Sequence, residues 1–327
     1  MKILYAIQAT GNGHMSRARE IIPLLEKHGD VDVLISGTQA DVTLQQSIKY
    51  SLHGFSFIFG KNGGVDHWET WKTMNLPRFI KNIKEIPLSD YNLVINDFEP
   101  VTAWACKISK KESVGLSHQA SFQSALVPKP KSIDWAQLIL KHYAPATHYM
   151  GFHFERYDDF IYTPVIRSEI RNLITTNLGH YTVYLPANDE KFLLPILKQI
   201  PVQWEVFSKH TSIDYTDGNV KVSCVNNEKF NKSLASCAGL LTGGGFESPA
   251  EALFLGKKIL VAPMKYQYEQ QCNAFALKQL GFPVIWGSNK NWLPLIKEWV
   301  ANDQSHNLQF PDETAEIVSG IVKQYAK

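Results

Sequence analysis

Short apolar runs rich in β-branched residues alternate along this chain with longer stretches of helical period, and that alternation limits the fold more than any other feature. In the first half the runs are KILYAI from Lys2, VDVLIS from Val31, NLVIND from Asn92 and SVGLSH from Ser113. In the second half they are YTVYLP from Tyr181, QWEVFS from Gln203, NVKVSCV from Asn219, AGLLTG from Ala238, KKILVAP from Lys257 and FPVIWG from Phe282. Such runs read as strands buried on both faces, the condition of a parallel sheet covered by helices. HMSRAREIIPLLEKHG and NDEKFLLPILKQI supply helices between them. The order strand, helix, strand predicts doubly wound α/β domains. Pro23 falls inside the first helix, where it should kink the turn; nothing in the sequence accounts for it.

The pattern restarts near Gly179, after RYDDFIYTPVIRSEIRNL crosses between the halves. With Tyr162 to Pro164 as the linker, the expected domains are residues 1–163 and 164–327. Packing of the last helix, in DETAEIVSGIVKQYAK, back on the first domain is left open. A chain of 327 residues is long enough for two cores. Residues 55–90 break the rhythm and read as a loop and helix excursion at the mouth of the first domain. Within it, His67, Trp68 and Trp71 read as local packing before an aromatic platform for an acceptor. Lys72, Arg78, Lys81 and Lys84 beside Leu76, Phe79, Ile80 and Ile83 read as a solvated helix face before a membrane-surface one.

A net charge of +2 gives no argument for a nucleic-acid partner. Cys106, Cys224, Cys237 and Cys272 are far apart, without a CxxC pair, so a zinc or redox site is not expected. Cys106 and Cys224 lie in apolar runs and read as buried thiols in a reducing compartment. The N-terminal apolar run is too short for a signal peptide, and no segment approaches the ~20 apolar residues of a membrane span. The expected location is the cytosol, with peripheral contact on the inner face of a membrane as the alternative. The oligomeric state is not readable.

The strongest local signal is LLTGGGFESPAEALFLGKKILVAPMKYQYEQQCNAFALKQLGF, Leu240 to Phe282. A strand runs into Gly243, Gly244 and Gly245, and a helix follows. Its free N–H groups and dipole favour an anion at the loop. Ser248 suits the N-cap, Pro249 the first helical position, and Glu251 a capping box. On local sequence alone, plain capping competes evenly with ligand binding. A second strand ends at Pro263, and the carboxylate and carboxamides of YEQQCNA suit sugar hydroxyls.

This segment resembles the donor site of GT-B glycosyltransferases, both the UDP-glycosyltransferases and the N-acetylglucosaminyltransferases that make lipid-linked peptidoglycan precursor. Their ordered pattern is matched by Gly245, Ser248, Glu251, Gly256, Pro263, Gln270 and Asn273-Ala274. The resemblance implies two Rossmann-like domains facing a cleft, with the donor on the second and the acceptor on the first. It implies Glu251 on the ribose, the Gly244–Ser248 loop on the diphosphate, and Glu269 and Gln270 facing the donor sugar, with Gly243 and Asn273 in the same site. There are departures. Plant-type members carry a histidine at the place of Gly243 and a tryptophan near Phe246, and Lys257-Lys258 replaces the common Val-Pro.

The first-half loop QATGNGHMSRARE has no GK[ST], and Ser16 stands where a third glycine would complete GxGxxG. Gly11, Asn12 and Gly13 therefore read as a tight turn on the phosphate or acceptor side, exposing His14. The resembling families carry a cleft-facing histidine in such a loop, and an acceptor hydroxyl needs a base near neutral pH. Asp97, after the strand NLVIND, matches the place of a dyad aspartate that orients the ring. Glu99 is the near alternative, and a helix cap is the competing role for Asp97. His118 reads equally as acceptor-side lining or a satisfied strand-end histidine. Arg17 and Arg19 read as solvated helix arginines before phosphate ligands.

The resulting expectation is an inverting glycosyltransferase moving a sugar from a nucleotide-sugar, UDP-linked by family frequency, to an acceptor glycan, lipid or small molecule. No cofactor beyond the donor is expected, and no metal, since Asp158-Asp159 lies in the linker region. A nucleotide-sugar 2-epimerase of the same fold and a non-catalytic nucleotide-sugar binding protein are the rivals.

Overall fold

The computed structural model describes all residues except 10–11, 38–43, 45, 54–75, 131–134, 288–290 and 305. The first sheet contains β1 (Lys2–Gln8), β2 (Asp30–Ser36), β3 (Ile48–Leu52), β4 (Leu93–Asp97), β5 (Val114–Ser117), β6 (His148–Phe152) and β7 (Ile161–Tyr162). Its spatial order is β3-β2-β1-β4-β5-β6-β7, with every pairing parallel. Helices α1 (Asn12–Glu26), α2 (Leu76–Glu85), α3 (Pro100–Ser109) and α4 (Trp135–His142) connect these strands. The second sheet contains β8 (Tyr181–Tyr184), β9 (Trp204–Ser208), β10 (Tyr215–Asp217), β11 (Val220–Cys224), β12 (Gly239–Gly243) and β13 (Lys258–Ala262). Its order is β10-β11-β9-β8-β12-β13, parallel except for the edge hairpin β10–β11. A short helix, α5 (Ser168–Arg171), follows the first sheet, and α6 (Glu190–Leu197), α7 (Asn227–Ser236), α8 (Glu247–Phe254), α9 (Tyr268–Gln279), α10 (Trp292–Ala301) and α11 (Thr314–Tyr325) follow in the second half.

In both sheets the chain order reverses beside the first strand, between β1 and β4 and between β8 and β12. Such a switch point opens a crevice at the strand carboxyl ends, where open α/β sheets take ligands. The register sets Ile7 opposite Asp97, so the loops after β1 and β4 emerge side by side. The loop after β12 emerges at the equivalent place in the second sheet.

Among the described residues, four strands lie outside the apolar runs: β3, β6, β7 and β10. Their sequences, IKYSL, HYMGF, IY and YTD, are short and mixed in polarity. Pairing with an already formed neighbour decides them, which no local pattern reports. FPVIWG, in contrast, makes only one parallel bridge among the described residues, Val284 to Val261. Cys224 is only half-buried, unlike the other three thiols. Helix α1 runs through Pro23 to Glu26. Within the excursion, α2 leaves Leu76 and Ile80 exposed while Phe79 and Ile83 pack on the first domain. His67, Trp68, Trp71 and Lys72 lie outside the described residues.

Helix α11 returns to the first domain and packs on α1. Asn92 Nδ2 donates to the Lys327 carbonyl at 2.8 Å, and Tyr325 stacks on His148 with centroids 4.3 Å apart. One buried apolar cluster includes Ile7, Met15 and Phe154 of the first domain and Phe246, Val261 and Ile317 from the second half. The two domains thus share apolar contact beside the cleft.

Candidate active site

The loop after β4 is shaped by its own side chains. Asn96 bonds both ways to Glu99, its Nδ2 donating to the Glu99 carbonyl and its Oδ1 accepting the Glu99 N–H. Phe98 between them takes the left-handed conformation, φ +56°, which a bulky residue adopts only when its surroundings fix it. Glu99, not Asp97, caps α3: its carboxylate accepts from the Val101 and Thr102 N–H groups at 2.7 and 2.6 Å, and from Ser36 Oγ. The competing roles of these two acids are thereby separated, and the Asp97 carboxylate turns toward α1.

Helix α1 begins at Asn12, so Gly13 and His14 lie inside its first turn, not in a turn before it. Gly11 lies outside the described residues. His14 Nδ1 is 2.7 Å from Asp97 Oδ1, and the side chain is 11% exposed. Asp97, fully buried, also accepts from Arg17 Nε at 2.9 Å, Arg17 Nη2 at 2.7 Å and the Tyr5 hydroxyl at 3.3 Å. Burial alone would raise its pKa, but Arg17 and then His14 hold the carboxyl below the usual carboxylate range. Burial pushes the Tyr5 phenol up, helped by Asp97. Against the expectation from sequence, Arg17 is not solvated: it is 3% exposed and lies one helical turn after His14. Arg19 is exposed.

Arg17 Nη2 also lies 3.0 Å from His14 Nδ1. Because Asp97 is held ionised it can only accept, so the Nδ1–H tautomer satisfies it and turns the Nε2 lone pair of His14 to the cleft. There Gln119 Nε2 approaches it at 3.4 Å and donates at 3.1 Å to Glu269 Oε1 on the second domain. Gln119 Oε1 is buried without a partner among the described residues. His118 is fully enclosed, stacked on Phe246 with centroids 3.8 Å apart. Its Nδ1 lies 2.8 Å from the Phe152 carbonyl and its Nε2 2.7 Å from Asn273 Oδ1, a cross-domain bond. Burial lowers its pKa, with the Glu269 and Glu247 charges opposing.

On the second domain, the glycines after β12 let that loop lie close to α9. A Cβ on Gly244 would stand 2.5 Å from the Gln270 carbonyl, whereas Gly245 faces open space. Gln270 Oε1 accepts from the N–H groups of Gly244 and Met264, and Asn273 Nδ2 donates to the Gly244 carbonyl. Both carboxamides hold the loop in place. Helix α8 begins at Glu247, one residue before the position expected of its cap; Ser248 lies in the first turn, and the cap residue Phe246 makes no side-chain cap bond. No capping box forms, because the Glu251 carboxylate turns to Arg167. Arg167 Nε reaches Glu251 Oε1 at 2.5 Å and its Nη2 reaches Oε2 at 2.8 Å. Burial pushes the Glu251 pKa up against the pull of Arg167. Lys257, where the resembling pattern has valine, is buried and donates from Nζ to the carbonyls of Thr176 and Cys237.

Four residues of the site were not singled out from sequence as part of it: Arg17, Gln119, Arg167 and Glu247. Arg17 carried a signal, since i and i+3 on a helix share a face. The others gain meaning only from partners more than 80 residues away.

Among the described residues, no group of three His, Cys, Asp or Glu could hold a metal ion, and no helix is long and apolar enough to cross a membrane. Burial pushes the Cys106 and Cys272 thiols up to about 12, which makes them poor nucleophiles.

Two facing parallel-sheet domains with loops converging from both switch points define a GT-B glycosyltransferase fold. Solved structures with that architecture align along nearly the whole chain. MurG of Acinetobacter baumannii superposes with TM-score 0.59 at 13% identity, covering 99% of this chain and 100% of its own. The glycosyltransferase SnogD of Streptomyces nogalater gives 0.55 at 13% identity, with 98% and 99% covered. Arabidopsis thaliana UGT89C1, solved in complex with UDP, gives 0.56 at 12% identity, with 98% and 94% covered. The sequence profile of glycosyl transferase family 1 matches residues 1–302, and the chain belongs to that family. It is a glycosyltransferase. Comparison with curated protein sequences gives no match.

Proposed function

We propose that this glycosyltransferase inverts the anomeric carbon as it moves a sugar from a nucleotide-sugar, UDP-linked, to an acceptor hydroxyl. The observation that carries the proposal is the His14–Asp97 pair, 2.7 Å apart, at the first switch point. UDP is favoured because UGT89C1, a neighbour in fold, was solved with it. The family match favours transfer over epimerisation or binding alone.

In this reading the acceptor hydroxyl gives its proton to His14 Nε2 as its oxygen attacks the anomeric carbon. The bond from that carbon to the diphosphate oxygen breaks on the opposite face. Asp97 stabilises the imidazolium, and Arg17 keeps Asp97 ionised. The free N–H groups at the start of α8, with Gly244 to Ser248, offset charge on the leaving diphosphate, so the reading calls on neither a metal nor a further cofactor. Glu269 and Gln119 face the transferred sugar. Arg167 takes one lone pair on each Glu251 oxygen, which leaves one on each for the ribose hydroxyls. Gln270, Asn273 and Gly243 act by holding the loop, and His118 by holding the domains together. Gly13 and Asn12 carry His14 to the acceptor side. The acceptor is a glycan, lipid or small molecule met in the cytosol or at the inner face of a membrane.

The test is a panel of nucleotide sugars with and without candidate acceptors, followed by nucleotide release. Release that depends on acceptor, and a loss of about 10²–10⁴ in turnover for His14→Ala with donor affinity retained, is the expected result. An epimerised sugar without acceptor, tight binding without turnover, or normal turnover by His14→Ala would overturn it. Calorimetry on Glu251→Ala tests the ribose assignment separately: unchanged nucleotide affinity removes it.

A further inference from the structure

The Arg17 guanidinium has one edge that is fixed and one nitrogen that is not. Nε and Nη2 are held by Asp97, which is fully buried and has no space to turn away. Nη1 donates at 2.8 Å to Glu247 Oε1, across the cleft on the other domain. Glu247 is the first residue of α8, and its side chain is 28% exposed, so a rotation takes its carboxylate to solvent. Its other oxygen roofs the first turn of α1: a Cβ on Gly13 would stand 2.4 Å from Glu247 Oε2. A single carboxylate therefore bridges the cleft floor from the start of α8 to the start of α1.

That is the ground a donor diphosphate has to cross if the cleft binds as proposed above, and this inference rests on that reading. One guanidinium already faces two carboxylates there. A diphosphate placed beside Glu247 meets like charge at close range in a partly desolvated site, where repulsion is weakly screened. Withdrawing Glu247 without replacement would leave the buried Nη1 of Arg17 without that acceptor, even with the Asp97 edge still paired. An exchange of one anion for another avoids both costs.

We infer that Arg17 Nη1 is a phosphate-binding group for the donor, and that Glu247 is the chain's own stand-in for that phosphate, leaving when the donor enters. The Asp97 edge of Arg17 stays fixed throughout, so the same residue orients the dyad and reads the leaving group. Glu247 competes with the donor at this seat. It keeps Arg17 Nη1 paired in the empty enzyme, and it weakens the binding of nucleoside diphosphates selectively over nucleosides.

The experiment is calorimetry on the full chain with UDP, GDP and dTDP, and with the matching nucleosides. Wild type is compared with Glu247→Gln and Glu247→Ala. The expected result is a gain of roughly tenfold in affinity for the bound diphosphate in both variants, with nucleoside affinity unchanged. In an Arg17→Lys background, which keeps the charge but loses the forked geometry, the gain should shrink. Equal or weaker diphosphate binding by both Glu247 variants overturns the inference while leaving the donor site intact. A gain shared equally by the nucleoside overturns it too, because the effect would not act through phosphate. Binding of none of the three diphosphates by any form of the protein overturns the donor-site reading and this inference with it.

Discussion

Replacing Asp97 by asparagine separates the two things its carboxylate does. Asp97 accepts two bonds from Arg17, one from His14 and one from Tyr5, with no solvent to substitute. Asparagine keeps the volume but removes the charge, and its NH2 must point at an N–H of Arg17 or His14. Removing one partner of a buried ion pair costs about 3–5 kcal/mol. That is a large share of the roughly 5–15 kcal/mol that holds a typical domain. With a urea slope of about 2 kcal/mol per molar, the unfolding midpoint of the first domain should fall by roughly 1.5–2.5 M. Turnover should also fall, because the His14 ring loses the group that sets its tautomer. The double variant Asp97→Asn with Arg17→Met removes the orphaned cation, and it should regain most of the stability while turnover stays low. A loss below about 1 kcal/mol for the single variant, or strictly additive effects in the double, would refute the view that one buried charge network supports the dyad.

Two further outcomes follow from buried groups. Lys257→Met should lower stability by about 1–3 kcal/mol in thermal unfolding, since two carbonyls lose a charged donor while the apolar stem is kept. His118 and His153 are both buried with lowered pKa, chiefly through desolvation; His153 Nδ1 accepts the Phe154 N–H, which fixes the neutral ring. Their folded pKa values lie below the usual 6.5, so the unfolded chain takes up protons first on acidification. Stability should be level above about pH 6.5 and fall below it, by up to about 1.4 kcal/mol per pH unit for each histidine. Calorimetry from pH 7.5 to 5.5 checks this, and a flat profile would refute it, because both rings would then titrate in the fold as they do in the unfolded chain.

Much of the architecture was legible because it is written in local period. The runs that became β1, β2, β4, β5, β8, β9, β11, β12 and β13 are apolar enough to demand burial on both faces. The strands that were missed, IKYSL and HYMGF among them, carry no such demand and are strands because a neighbour offers hydrogen bonds. FPVIWG shows the converse, an apolar run that joins no ladder among the described residues beyond one bridge. At the site, position after a strand together with the family resemblance pointed to His14 and Asp97. Competition between Asp97 and Glu99 for the cap of α3 was not decidable locally, since both are acids near the helix start. The Phe98 turn decides it.

The sequence by itself determined two doubly wound domains, the glycine loop before α8 and the histidine after β1, since each is a matter of neighbours in the chain. Tertiary structure alone decided what the charges do. Arg17 and Arg167 are ordinary helix-face and linker arginines by composition, yet Arg17 is buried and Arg167 half-buried, each on a carboxylate 80 or more residues away. Glu251, suited locally to a capping box, is turned away by Arg167, and Glu247, unremarked in sequence, spans the cleft to Arg17. The physical reason is that hydrophobic period acts between chain neighbours, whereas a buried charge is settled by whichever opposite charge the fold brings within about 3 Å.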